Sequence, residues 1–203
     1  MSTHRNRHIE RSKLMDLKTD KVIWLPEHNE KTYHQNRAIG SLEILKSILQ
    51  NKFLCHIGCS TGIITQYFSK VCSKILALDI EDDAIKQTLN RKYNCKIDVK
   101  KIDAIEYLQK NPEINPEVFY AWANDMDFWV DNILNLRAHT NPTIILGIGL
   151  QRLVSPVENE QPLQLTTAKK LKEKYNGEIK LFSFPVSEYT LKNNGTFGLL
   201  ILK

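Results

Sequence analysis

The apolar positions of this chain change their spacing many times, and each change marks an element. Between Thr32 and Leu49 they fall at Ala38, Ile39, Leu42, Ile44, Leu45, Ile48 and Leu49, one face of a helix. Phe53 to Ile57 is a short, mostly apolar run closed by Gly58, which predicts a strand buried on both faces. Thr61 to Val71 returns to helical spacing, Lys74 to Asp79 reads as a second strand, and a helix capped by Glu81 or Asp82 is expected to reach Tyr93. Residues 96–102 form a third strand, and Ala104 to Lys110 a short helix ended by Asn111-Pro112. An aromatic-rich strand follows at 117–122, then a helix from Met126 to Ala138 and a fifth strand at Thr143 to Leu146. Leu163 to Tyr175 is a Lys-rich helix closed by Asn176-Gly177, and strands at 178–182 and 197–202 complete the pattern.

Strand and helix alternate through five units, which predicts a parallel sheet with right-handed crossovers and helices on both faces. The last two strands break the rhythm. Only residues 184–196 separate them, and Asn193-Asn194-Gly195 marks a tight turn, so the final strand is expected to run antiparallel to its neighbour. The expected fold is therefore α/β, a doubly wound seven-stranded sheet that is mostly parallel with an antiparallel last strand. Sheets of this kind hold ligands beyond the carboxyl ends of their strands, which directs attention to the loops after strands one to four.

With 203 residues, 42% of them hydrophobic and 25% charged, the chain is long enough to bury a core without staples. We read residues 1–20 as a basic, poorly ordered tail and 21–203 as one domain. The longest apolar stretch, Ile144 to Leu150, is far short of the roughly 20 residues that cross a bilayer. The basic start also lacks the apolar segment of a secretory signal, so the cytoplasm is the expected compartment. Cys55, Cys59, Cys72 and Cys95 form no CxxC pair and read as reduced thiols rather than metal ligands. The net charge of +5 divides as +4 over residues 1–52, −2 over 53–150 and +3 over 151–203. Nucleic acid, as an anionic partner, would meet the basic ends, and lysines on solvated faces explain the same charge.

Candidate chemistry begins at Gly58-Cys59-Ser60-Thr61-Gly62, between the first strand and its helix, where missing side chains let a ligand approach the backbone and helix-terminal amides face it. Asp79 closes the second strand 21 positions after Gly58, near the spacing of about 20 at which a carboxylate meets ribose hydroxyls. A helix cap is the structural alternative for Asp79, with Glu81, Asp82 and Asp83 beside it to take that task. Asp103 ends the third strand, where an acceptor can meet an adenine amine while Ala104 offers its amide; Asp103 to Glu106 also has the form of a capping box. Ile63 and Ile64 stand where a dinucleotide turn would have its third Gly, which favours an adenosine ligand without a diphosphate.

On these residues the chain resembles the class I S-adenosylmethionine-dependent methyltransferases over about residues 30–203. Leu54 to Gly62 is similar to their first motif, Leu76-Ala-Leu-Asp79 to the second and Ile102-Asp103-Ala104 to the third. The resemblance implies a Rossmann-like fold, S-adenosylmethionine as cofactor and S-adenosylhomocysteine as product. It puts Gly58, Cys59, Ser60 and Gly62 under the methionine and ribose parts, Asp79 on the ribose, Ile80 against adenine, and Asp103 with Ala104 at the adenine edge. His56 departs from the pattern, because the family usually has an acidic residue two before the first Gly; a buried core histidine and a ligand contact are both open. After the fourth strand, Asn124 would approach the methionine end, and Asp125 would serve as a base or position the acceptor. First-turn charge favoured by the helix dipole is the structural alternative for Asp125 and Asp127.

The Asn/Asp-Pro-Pro-aromatic signature of base amino-methylating members is absent, Met126 and Asp127 standing in place of the prolines. For an RNA ribose 2′-O-methyltransferase, Lys31, Asp125 and Glu188 fall in suitable regions, but the second Lys has no counterpart in Thr143 to Leu150, and Arg152 is a poor substitute. His28, Tyr33, His34 and Arg37, on or before the leading helix, would close over the cofactor or simply form a surface face. The acceptor is left open among a small molecule, a protein and RNA. Competing readings are a nucleoside-binding protein without transfer and a nicotinamide-dependent oxidoreductase.

Overall fold

A computed structural model describes residues 22–24, 33–122, 125–149, 163–183 and 196–203. The elements in chain order are β1 (Val22–Trp24), α1 (Tyr33–Leu49), β2 (Phe53–Ile57), α2 (Ile63–Phe68), β3 (Lys74–Asp79), α3 (Asp82–Leu89) and β4 (Lys96–Lys101). They continue as α4 (Ala104–Lys110), β5 (Val118–Ala121), α5 (Met126–Arg137), β6 (Thr143–Gly149), α6 (Leu163–Lys174), β7 (Glu178–Ser183) and β8 (Thr196–Leu202). One sheet holds all the strands in the order β1-β7-β8-β6-β5-β2-β3-β4. β8 runs antiparallel to both β6 and β7, and every other pairing is parallel.

The seven strands read from the sequence are all present, and an eighth joins them. Val22-Ile23-Trp24 pairs parallel with β7 at the edge, Val22 opposite Leu181 and Trp24 opposite Ser183. Three residues are too few to establish a period, so the edge strand left no pattern to read. β6 runs three residues beyond Leu146, because the antiparallel β8 carries the ladder through Gly147, Ile148 and Gly149. Glycine weakens a strand interior, so Gly147 and Gly149 give the sequence no sign of this continuation. Two helices are shorter than expected: α2 starts only after Gly62, and α3 stops at Leu89 rather than Tyr93.

Alternation along the strands divides the core between the two faces of the sheet. Leu54, Ile75, Ala77, Tyr120 and Ile145 turn to the side of α1, α2 and α3, packing on Leu45, Leu49, Ile64 and Phe68. Cys55, Leu76, Phe119, Ile144 and Leu146 turn to α4, α5 and α6, against Leu108, Val130, Ile133 and Leu171. Among the described residues, no helix is long and apolar enough to cross a membrane.

Arg137 at the end of α5 is 1% exposed and acts as a clamp. Nε donates to the Ile114 carbonyl at 3.0 Å, Nη1 to Leu136 at 2.7 Å, and Nη2 to Leu108 at 3.0 Å and Asn111 at 3.1 Å. Three of these carbonyls belong to the end of α4 and the chain after it, so one guanidinium fixes α4 to α5 and satisfies acceptors that helix termini leave open. Arg137→Met strands these carbonyls and is expected to lower stability by about 3 kcal/mol. Equilibrium denaturation in urea checks this, and an unchanged midpoint would remove the clamp from the account.

Candidate functional site

Strand order reverses beside β2: β3 and β4 lie to one side, and the chain then crosses to add β5 on the other. The carboxyl ends of β2 and β5 thus flank the switch point at which open α/β sheets take their ligands. The turn after β2 follows a left-handed path, with positive φ at Gly58 (64°), Ser60 (48°) and Gly62 (73°). A Cβ on Gly58 would meet nothing within 4 Å, so the backbone there borders open space. Gly62 is different: a Cβ would lie 2.8 Å from Thr88 Oγ1 and 3.0 Å from the Tyr93 hydroxyl. One glycine therefore leaves room for a ligand, and the other lets α3 close on the turn.

Each carbonyl from Cys59 to Gly62 already has a donor. Cys59 O accepts from Gly62 N at 3.0 Å, Ser60 O from Thr88 Oγ1 at 2.7 Å, Thr61 O from Arg91 Nε, and Gly62 O from Gln66 N at 2.9 Å. Burial pushes the Cys59 thiol up to about 11, which leaves it protonated and unreactive at neutral pH.

Asp79 ends β3 against the same turn. Oδ2 accepts from the Ser60 amide at 2.7 Å and Oδ1 from the Glu81 amide at 3.0 Å. The carboxylate thus combines turn-holding with the capping work that its acidic neighbours had been expected to take: Glu81, at the N-cap of α3, makes no side-chain cap bond. Each oxygen keeps capacity for another donor. Ile80 beside it is 62% exposed, a large apolar side chain at the sheet edge. Asp103 lies one strand further on and caps α4, Oδ1 accepting from Glu106 N at 2.9 Å. Glu106 pairs with Lys110 instead of completing a capping box, and Ala104 opens α4 as a buried residue. Asp79 and Asp103 therefore follow each other along one edge, as the sequence implied.

On the other side of the turn lies a cavity of about 210 Å³ bounded by His34 and Arg37 of α1, His56, Gly58 to Thr61, Gln87, Arg91 and Trp122. The Arg37 guanidinium lies over the Trp122 ring, 4.4 Å from its centroid. A Cβ on Gly147 would sit 2.0 Å from that indole, so β6 needs glycine there for Trp122 to lie against the sheet. Trp122, Gln87 and Arg91 were not recognised in the sequence. Residues from as far apart along the chain as His34 and Trp122 form this wall, and no local pattern signals it.

His56 takes the buried-core reading. It is buried in the aromatic layer beneath the turn, its Nδ1 2.8 Å from Thr65 Oγ1 and its ring edge-on to Tyr120 at 5.1 Å. Burial, followed by the nearby Arg37 charge, lowers its pKa to about 3, so it is neutral at physiological pH. It also borders the cavity. Burial and the Arg37 charge likewise lower the pKa of His34.

Past β5, Asp125 is exposed, and its Oδ1 accepts from Phe128 N at 3.2 Å at the start of α5. That bond realises the helix-terminus role and leaves Oδ2 available. Phe128 is 45% exposed beside it. Asn124, His28, Lys31, Arg152 and Glu188 lie outside the described residues, as do the basic segment 1–20 and the side chain of Tyr33.

No family model and no curated protein matches this sequence. Solved structures do. A SAM-dependent methyltransferase from Archaeoglobus fulgidus shares 17% identity over 83% of this chain and 94% of its own, with a TM-score of 0.54. The methyltransferase domain of bacterial CtHen1 shares 14% over 85% and 100%, TM-score 0.56. Fibrillarin from Aeropyrum pernix, solved with natively bound S-adenosyl-L-methionine, shares 12% over 84% and 76%, TM-score 0.56. The chain has the class I SAM-dependent methyltransferase fold.

His56 gives this region a pH signature. Its folded pKa lies below the ordinary 6.5, so its contribution is complete above that value and is lost as pH falls toward 3. Between pH 6.5 and about pH 4.5 the loss is expected to reach about 2 kcal/mol. His56→Gln should flatten the stability profile over that window, and denaturation series at several pH values read it directly. An unchanged slope would show that His56 is charged or solvated in the folded protein.

Proposed function

We propose that this chain transfers the methyl group of S-adenosylmethionine to an acceptor and releases S-adenosylhomocysteine. One observation carries the reading: at the switch point, a turn with open space beside Gly58 is bonded to a strand-ending carboxylate, Asp79, that retains acceptor capacity for vicinal hydroxyls. In this reading Asp79 binds the ribose, the exposed Ile80 packs on adenine, and Asp103 with the Ala104 amide meets the adenine edge. Gly58, Cys59, Ser60 and Gly62 underlie the amino-acid side of the cofactor, with Asn124 near its methionine end. Like the resemblance in sequence, the shared fold supports this arrangement.

S-adenosylmethionine supplies a methyl carbon already activated by its sulfonium. What the protein adds is alignment of the acceptor with that carbon and exclusion of water, so no catalytic triad is required. Asp125, held by one oxygen on the Phe128 amide, has the other free to orient an acceptor hydroxyl or amine or to take its proton.

A second reading, a nucleoside-binding protein without transfer, draws support from the neutral His56 in place of an acidic residue. Incubation with methyl-labelled donor and small-molecule, protein and RNA acceptors separates the two. Label in any acceptor pool, lost in Asp125→Asn, is the expected result; cofactor binding with no label anywhere would favour the second reading. Asp79→Asn is expected to weaken S-adenosylhomocysteine at least about tenfold by calorimetry, through loss of charge-assisted bonds to the ribose. Unchanged affinity would overturn the assignment.

A further inference from the structure

The four cysteines are free thiols, and they occupy different places in the sheet. Cys55 lies within β2 on the side of α4, α5 and α6, and Cys59 follows the carboxyl end of β2 on the opposite side. Cys72 and Cys95 stand apart from both. Cys72 lies two residues before β3 and Cys95 directly before β4, and these strands are parallel neighbours. The length of β3, six residues or roughly 20 Å, separates Cys72 from the end of the sheet where Cys59 lies.

Two ties bracket the Cys72 and Cys95 pair. Lys96, directly after Cys95, has Lys74 as its ladder partner, and the Asn94 amide, directly before it, donates to Ser69 Oγ at 3.1 Å. Cys72 lies between Ser69 and Lys74, so the two segments are held together on both sides of the cysteines. Neighbouring strands lie about 4.8 Å apart, inside the window of about 4.4–6.8 Å over which a disulfide joins two Cα positions. Both side chains also belong to one face. Cys72 is buried in the cluster on the side of α1, α2 and α3, and Cys95 packs half-buried against that cluster, followed on the same side by Ile97 and Val99. Burial first, and then the nearby Cys95, pushes the Cys72 thiol up to about 12. Cys95 itself makes a weak bond, Sγ donating to the Lys96 carbonyl at 3.5 Å.

We propose that Cys72 and Cys95 are a redox-sensitive pair whose oxidation to a disulfide staples the start of β3 to the start of β4. The oxidant is a small-molecule disulfide such as oxidised glutathione. Cys95, the more accessible thiol, loses its proton to solvent and attacks one sulfur of that disulfide, expelling one glutathione thiolate. Cys72 then loses its proton and attacks Cys95 Sγ in the mixed disulfide, expelling the second. Two protein thiols give up two electrons and two protons, and the small disulfide becomes two thiols. Burial disfavours the thiolates and slows both steps, and it withholds the thiolate stabilisation that makes a disulfide easy to reduce. The closed span holds Asp79, Thr88 and Arg91, whose side chains bond the glycine turn, so the staple fastens the unit that supports one side of the site. The inference stands independently of methyl transfer.

Equilibration of the folded full chain in buffers of graded reduced and oxidised glutathione tests this. The reaction is quenched with acid, free thiols are alkylated in denaturant, and linked peptides are mapped by mass spectrometry. Two thiols are expected to disappear together, with Cys72 joined to Cys95 and with Cys55 and Cys59 alkylated. The bridged protein should melt about 5–10 °C above the reduced protein. That difference should vanish in Cys72→Ala and in Cys95→Ser, and in Cys72→Ala the Cys95 thiol should instead retain a glutathione adduct. Four free thiols in the most oxidising buffer, glutathione held on Cys95 of the unaltered protein, or a bridge to any other cysteine would overturn the proposal. So would a bridged protein that melts no higher than the reduced one.

Discussion

The bond from the Ser60 amide to the Asp79 carboxylate joins the two halves of the site. It ties a turn that follows β2 to the end of β3, and without it the left-handed path through Gly58, Ser60 and Gly62 would have fewer fixed points. The Cys59 amide adds a second tie, donating to the Leu78 carbonyl at 3.1 Å, and Thr88 reaches from α3 to the Ser60 carbonyl. The amides of Cys59, Ser60 and Gly62 and the carbonyls of residues 59–62 are thus engaged by the protein itself, which holds the turn in place. A turn held in this way beside open space lowers the ordering cost of binding a ligand.

The turn separates two chemically different surfaces. On the β3 and β4 side are Asp79 and Asp103 with Ile80, acceptors and an apolar plate that suit the hydroxyls, amine and ring of a nucleoside. Bordering the cavity are Arg37, stacked on Trp122, and Arg91, which reaches in from the end of α3, two cations beside an aromatic wall. His56 links the second surface to the core. Its neutral ring is packed between Thr65 and Tyr120, and a carboxylate there would have to be buried in the same aromatic layer. The histidine thus fits its packing and leaves the charge of the cavity to the arginines.

Most of the framework was legible in the sequence because strand burial imposes contiguous apolar runs and helix packing imposes a 3.6 period. β2, β3 and the antiparallel β8 could be read that way, β4 by its alternation, and the turn and the two strand-ending aspartates by residue type and spacing. The edge strand Val22–Trp24 is too short to carry a period, and the extension of β6 depends on a partner strand some fifty residues later. The cavity wall was less legible for a related reason. Arg37, Trp122 and Gly147 meet only through tertiary packing, and the requirement for glycine at 147 comes from an indole on a neighbouring strand. Asp79, Asp103 and Asp125 each carried two readings at the outset, and in the structure each accepts a backbone amide near the start of a helix. A capping oxygen and a ligand-binding oxygen can belong to one carboxylate, so the readings are compatible.

The central claim is that an adenosyl ligand lies across this turn with its sugar on Asp79. A crystal structure of the complex with S-adenosylhomocysteine tests it most directly. The account predicts both ribose hydroxyls within hydrogen-bond distance of the Asp79 carboxylate and the thioether chain passing over Gly58. A ligand bound elsewhere on the sheet, or one lying across the turn with its ribose turned away from Asp79, would contradict it.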